Sequence, residues 1–167
     1  MPLSIASPGL SDVRIERGMA DELSHVSEAG EVRMVDVGGK PMSRRRAVAR
    51  AAVSMAPETA RRLSELPKGD ALVTAQLAGI MAAKRTSELI PLCHPLPLSH
   101  VDVSLAVQDA GVEITGTVET TAQTGVEMEA LTAVSVAALT VYDMAKAVDS
   151  DMSVSEVTLV EKTKDPV

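Results

Sequence analysis

Four groups of residues in this chain have the types and spacing to do chemistry. Lys68-Gly69-Asp70 stands where a loop enters a predicted helix. Glycine admits close backbone approach, a helix N-terminus favours anions, and the lysine adds a positive charge and a transferable proton. The tripeptide also suits a plain loop with a helix cap. Leu92-Cys93-His94-Pro95 lies in an apolar stretch rich in proline. Histidine exchanges protons near neutral pH, an ionised cysteine is a nucleophile, and the prolines would fix both in direction. Taken alone, a cysteine such as Cys93 is more often a small buried apolar residue than a nucleophile.

Asp143 and Lys146 are three apart and share one helical face, as an ion pair or as a poised acid and base. Glu127-Met128-Glu129 marks the entry of the same helix, where carboxylates favour the positive end of the dipole. Arg44-Arg45-Arg46 with Arg50 can grip phosphate or carboxylate through bidentate hydrogen bonds, or line a solvated strand edge. With one cysteine and three histidines, His25, His94 and His100, no spacing is a metal signature. No metal site is expected.

These groups need elements to hold them. The 167 residues are 46% apolar, enough for one compact domain with a sizeable core. Aromatic content is 1%, Tyr142 being the single aromatic, so Ala, Val, Leu, Ile and nine Met must build that core. The shortage also removes the stacking platforms used on single-stranded nucleic acid, and a net charge of −7 opposes binding a phosphate polymer. No nucleic-acid partner is expected. Cys93 excludes an intrachain disulfide. Met1 to Leu23 carries Asp12, Arg14, Glu16 and Arg17 where a signal peptide needs its apolar core. The longest uncharged run, Ala130 to Tyr142, is short for a bilayer span. A cytoplasmic protein with no membrane partner is the expectation.

Residues 1–24 show no sustained period and read as a flexible arm, with the domain expected over 25–167. Alternate apolar positions from Ala47 to Met55 predict a strand over Arg46–Met55, with a helix as the alternative because Ala is helix-prone. Pro57 opens a predicted helix to about Leu66, and Asp70 caps a second reaching about Leu89. Ile90–Ser99 is a rigid loop. Val101–Val107 and Val112–Val118 alternate around Asp109-Ala110-Gly111, a hairpin signal. A long helix from about Val126 to Val148 and a strand over Val154–Val160 follow. The order β, α, β, β, α, β is that of a ferredoxin-like α+β sandwich with an antiparallel sheet.

Taken together, several segments resemble the cyclic pyranopterin monophosphate synthase family of molybdenum cofactor biosynthesis. They are His25-Val26-Ser27-Glu28-Ala29-Gly30, Met34-Val35-Asp36-Val37, Lys68-Gly69-Asp70, Ala82-Ala83-Lys84-Arg85-Thr86, Leu89-Ile90-Pro91-Leu92-Cys93-His94-Pro95-Leu96, Thr124-Gly125-Val126-Glu127-Met128-Glu129-Ala130-Leu131-Thr132 and Tyr142-Asp143-Met144-Ala145-Lys146-Ala147-Val148. The resemblance covers about His25 to Lys162. Ala145 stands where relatives can carry Cys, and the arm is longer than the family core requires.

The resemblance implies a hexamer built as a trimer of dimers, with the site at a subunit interface. It implies conversion of 3′,8-cyclo-7,8-dihydro-GTP, supplied by a preceding radical enzyme, into cyclic pyranopterin monophosphate and pyrophosphate. Lys68, Asp143 and Lys146 would be catalytic. Leu92, Cys93, His94, Met128 and Glu129 would lie on the substrate, with Glu127, Arg45 and His25 as further site candidates. No cofactor is expected, and Cys93 is expected to shape the pocket rather than attack. An interface site leaves open whether Lys68 and Asp143 come from one chain or two.

Overall fold

The computed structural model describes residues 32–167. The arm over residues 1–24, the domain start at His25 and the His25 site assignment lie outside the described residues. Within the compact unit Met34–Val167, strand β1 spans Ser43–Ser54. Its period of two drives Ala47, Ala49, Ala51 and Val53 into the core. Arg46 and Arg50 fall on the opposite face, where Arg46 pairs with Glu119 and Glu161 and Arg50 with Glu113. Such exposed pairs each contribute at most about 1 kcal/mol. β1 starts three residues before the predicted strand because arginines carry no apolar alternation to read.

The predicted helix to Leu66 is instead one turn, α1 at Pro57–Ala60, and a 3-10 turn at Leu63–Glu65. Ala56 offers no side-chain cap, and so short a segment does not repay helix nucleation. Helix α2 covers Ala71–Lys84, and α3 is the single turn Thr86–Leu89. The expected continuous helix breaks at Arg85 because the buried Thr86 hydroxyl donates to the carbonyls of Ala82 and Ala83, competing with the backbone ladder.

β2 at Leu98–Gln108 and β3 at Gly111–Ala122 form the expected hairpin, with Val107 opposite Val112 and Leu105 opposite Ile114. Helix α4 spans Glu127–Ala145, three residues shorter at its end than expected. β4 runs from Ser153 to Pro166, well past Val160. Its far half pairs with β1 as Lys162 with Ala47 through Pro166 with Ser43. That half is an exposed edge rich in charge, so its pairing left no hydrophobic pattern. The strand irregularity facing Arg50 and Ala52 includes Glu156 at φ 56.

The antiparallel sheet has the order β2-β3-β1-β4. This α+β arrangement is compatible with the ferredoxin-like sandwich expected from the element order. Helices α2 and α4 cover its core face, and small residues let them come close. A Cβ on Gly79 would sit 2.9 Å from the Ala133 carbonyl oxygen, and one on Gly116 2.9 Å from Val134 Cγ1. By length and composition α4 could cross a bilayer, but half of its apolar window is buried inside the protein. It is the core helix, and candidate site residues lie at both of its ends.

Candidate active site

The C-terminal end of α4 holds a three-residue ionic cluster. Asp143 lies in the last turn and Lys146 at the cap. Lys146 Nζ is 2.7 Å from Asp143 Oδ1, while Lys68 Nζ is 2.9 Å from Oδ2 and donates to the Asp143 backbone oxygen, also at 2.9 Å. One carboxylate therefore bridges two ammonium groups. Hydrogen bonds from Lys146 first and Lys68 second pull the Asp143 carboxyl down to about 2, and Asp143 pushes Lys146 up. All three side chains remain about half exposed, so solvent moderates the attraction.

Local sequence explains how Lys68 gets there. The Gly69 amide donates to Leu66 O at 2.8 Å, closing a tight turn around Pro67 and Lys68. Gly69 has φ 110, which residues with a Cβ rarely adopt. Asp70 then caps α2, its Oδ1 accepting from the amides of Leu72 and Val73. The tripeptide thus combines a cation, a turn and a helix start. The helix-cap reading is realised, and Lys68 beside it reaches the Asp143 carboxylate.

The N-terminal end of α4 holds a second cluster. Glu129 is 2% exposed, and its Oε1 is 3.6 Å from Cys93 Sγ, which donates to it. Glu129 Oε2 is buried with no hydrogen-bond partner among the described residues. Burial, with Glu127 adding to it, pushes the Glu129 carboxyl up. Burial and then the Glu129 charge push the Cys93 thiol to about 11. At neutral pH Cys93 is a thiol donor rather than a thiolate. His94 Nε2 is 2.8 Å from Val35 O; because a carbonyl only accepts, that nitrogen carries the proton.

Leu92 is half-buried beside Cys93, and Met128 is exposed. Glu127 Oε1 lies 3.6 Å from Lys162 Nζ, a contact that sequence reading missed because Lys162 falls past the predicted strand end. Arg45 Nη2 makes a long bond, 3.4 Å, to Gln123 O, and its Nε is buried without a partner among the described residues. Among the described residues, no group of three or more His, Cys, Asp and Glu could hold a metal ion.

Fourteen residues separate Glu129 from Asp143. At about 1.5 Å rise per residue the two clusters sit roughly 21 Å apart on one helix. The structure therefore joins Lys68, Asp143 and Lys146 within one chain, and Cys93 with Glu129, but keeps the two groups apart. A cleft of about 340 Å³ lined by Leu66, Arg62, Val148 and Asp149, among others, includes none of the three side chains of the ionic cluster.

The arrangement places two ammonium groups on one carboxylate at one end, and a buried carboxyl, a thiol and an imidazole at the other. The model for the MoaC family matches residues 34–165. The chain belongs to the MoaC family. A Roseiflexus sp. (strain RS-1) protein called cyclic pyranopterin monophosphate synthase is 58% identical over 146 residues, 85% of this chain and 92% of that protein. Proteins of the same name from Brevibacillus brevis and Streptomyces coelicolor are 55% and 58% identical, over 87% and 86% of this chain and 92% and 85% of their own lengths. The matched region of the MoaC family model contains both clusters.

Proposed function

We propose that the protein is a cyclic pyranopterin monophosphate synthase, acting as a phosphorus–oxygen lyase on 3′,8-cyclo-7,8-dihydro-GTP in molybdenum cofactor biosynthesis. The observation that carries the reading is Asp143 bridging Lys68 and Lys146, in a chain more than half identical to proteins of that name. Rebuilding a purine-derived ring into a pterin needs repeated proton delivery and removal, work for positioned lysines and a carboxylate. Closing the cyclic phosphate makes a sugar hydroxyl attack the α-phosphorus as pyrophosphate leaves. Ammonium groups stabilise the charge that develops there.

In this reading Lys68, Asp143 and Lys146 are catalytic, and Leu92, Cys93, His94, Met128 and Glu129 bind substrate. Glu127, Arg45 and His25 complete the contacts, and residues 25–167 act as one catalytic domain. A chain without Phe or Trp holds a flat heterocycle by hydrogen bonds rather than stacking.

The working unit is a homohexamer, a trimer of dimers, with each site at a subunit interface. Two features support an interface. Clusters roughly 21 Å apart along one helix are too distant to serve one small substrate within a chain. The outer helix faces also expose Val73, Leu77 and Met81 on α2 and Leu139 on α4 to about half or more, an apolar surface suited to self-association. The enzyme works in the cytoplasm, consistent with its lone free thiol.

The deciding experiment is incubation of purified protein with the cyclic dihydro-GTP intermediate, with pyrophosphate and pterin product both measured. Stoichiometric release of the two is expected. Substrate binding without turnover would instead indicate a nucleotide-binding assembly partner.

A further inference from the structure

We infer that Gln123 is a positioning residue, holding in place both the Val35–Lys40 segment, which His94 also ties, and the Arg45 guanidinium, so that substrate meets them already ordered. The inference rests on the reading that Cys93, His94, Glu129 and Arg45 take the substrate. Gln123 follows β3 and precedes α4, the helix whose first turn carries Glu129. Its Nε2 donates to Gly38 O at 2.9 Å and to Lys40 O at 3.0 Å. A side-chain amide has two N–H donors, and both go to carbonyls of one turn. Its own backbone oxygen accepts a hydrogen bond from the Arg45 guanidinium, from Nη2 at 3.4 Å. One residue therefore fixes the turn through its side chain and the arginine through its backbone.

The strapped segment needs such ties. Val35–Lys40 belongs to no helix or strand, and it contains Gly38-Gly39, whose backbone freedom makes ordering expensive. Within itself it has the Lys40 amide on Val37 O and the Gly38 amide on Asp36 Oδ1. Its first end is held by His94 Nε2 on Val35 O, and its last end by Gln123. His94 is adjacent to Cys93, which touches Glu129, so the segment is tied at its first end to the stretch that carries the Cys93–Glu129 contact. Arg45, whose Nε is buried with no partner among the described residues, offers donors to an anionic group of the substrate. An order imposed before binding lowers the entropy lost on binding, so Gln123 should act on KM rather than on the chemical step.

The test compares the full-length protein with Gln123→Met, similar in length without donors, and Gln123→Lys, which keeps donors for the two carbonyls. Steady-state kinetics on cyclic dihydro-GTP are paired with amide hydrogen exchange. For Gln123→Met, KM should rise about tenfold, the scale of losing two neutral hydrogen bonds, with kcat within about threefold. Exchange at Gly38 and Lys40 should accelerate in that variant, and Gln123→Lys should restore both readouts. An unchanged KM with unchanged exchange overturns the inference. So does a loss of kcat and thermal stability together that Gln123→Lys leaves unrepaired, the pattern of a merely structural residue. Should Gln123→Met fail to fold, Gln123→Ala carries the same comparison. Absence of turnover in the parent protein counts against the proposed activity, while the exchange data still decide whether the strap exists.

Discussion

Lys68 holds Asp143 by two atoms at once: its Nζ donates to Oδ2 and to the backbone oxygen, each at 2.9 Å. The backbone oxygen belongs to the last turn of α4, where carbonyls lack intrahelical donors. Lys68 therefore satisfies a helix end while its charge offsets the negative end of the dipole. Lys146, at the cap, adds a second cation on Oδ1. The helix terminus orients the carboxylate, and the carboxylate orients both lysines. This gives each of the three a separate experimental signature.

Lys68→Ala and Lys146→Ala should each reduce turnover by roughly two to four orders of magnitude, the range for losing a positioned acid or base. Both side chains are about half exposed, so folding should survive and circular dichroism should match the parent. A folded variant within about threefold of parent activity would remove that lysine from the catalytic set.

Asp143→Asn keeps the shape and deletes the charge, so activity should fall while substrate affinity, measured by calorimetry, changes little. The pH behaviour follows from a carboxyl held down at about 2. A depressed folded-state value contributes stability that is present above the ordinary carboxylate range and lost as pH falls through about 2. Between about pH 4 and pH 2 the parent should lose stability more steeply than Asp143→Asn. Parallel acid denaturation curves would show that the bridge contributes nothing to folding, as exposed pairs often do.

How much of this was legible in the sequence depends on the period of each element. The β2–β3 hairpin and the buried side of β1 were, because alternation is local and apolar. The ends of β1 and β4 were not, since Arg44 to Arg46 and Glu161 to Asp165 pair through the backbone beneath charged side chains. The break at Arg85 hinged on one hydroxyl, Thr86, that reads as an ordinary helix residue. Spacing announced Asp143 with Lys146, but Lys68 lies 75 residues away and only the family resemblance grouped it with them. Lys162 beside Glu127 carried no signal at all.

Cys93→Ser should retain measurable turnover, because the product needs no thioester and the thiol is held neutral by burial and Glu129. Iodoacetamide should modify Cys93 in the folded protein far more slowly than a free thiol at about pH 7.5, with the rate still climbing past about pH 9. A covalent adduct on Cys93 that forms and decays at the turnover rate would reverse the assignment.

Glu129→Gln tests the buried carboxyl. Its folded-state value is raised, chiefly by burial, so the folded protein binds the proton more tightly than the unfolded chain. Stability from that proton is present at low pH and declines as pH rises above the ordinary carboxyl range. The neutral amide introduced by the substitution has no charge to bury, so the variant should gain melting temperature over the parent at about pH 8 more than at about pH 4. Equal differences at both values would mean the carboxylate is solvated in the assembled protein. Turnover should fall in either case if Glu129 contacts substrate.

Subunit mixing separates the two ends of α4. Lys68 and Asp143 meet within one chain, which overturns the option that each comes from a different subunit. Lys68→Ala and Asp143→Asn therefore damage the same cluster, and mixed oligomers of the two should stay inactive. A different result is expected from Lys146→Ala mixed with Glu129→Gln. Each protein retains the end that the other has lost, so a site built from one chain's ionic cluster and its neighbour's pocket can be whole. Random exchange of equal amounts makes about a quarter of such sites intact in a symmetric assembly. Sedimentation must first establish that mixed oligomers form. Activity near a quarter of the parent supports the interface site; background activity in proven mixed oligomers rejects it, and a monomer at micromolar concentration rejects the assembly itself.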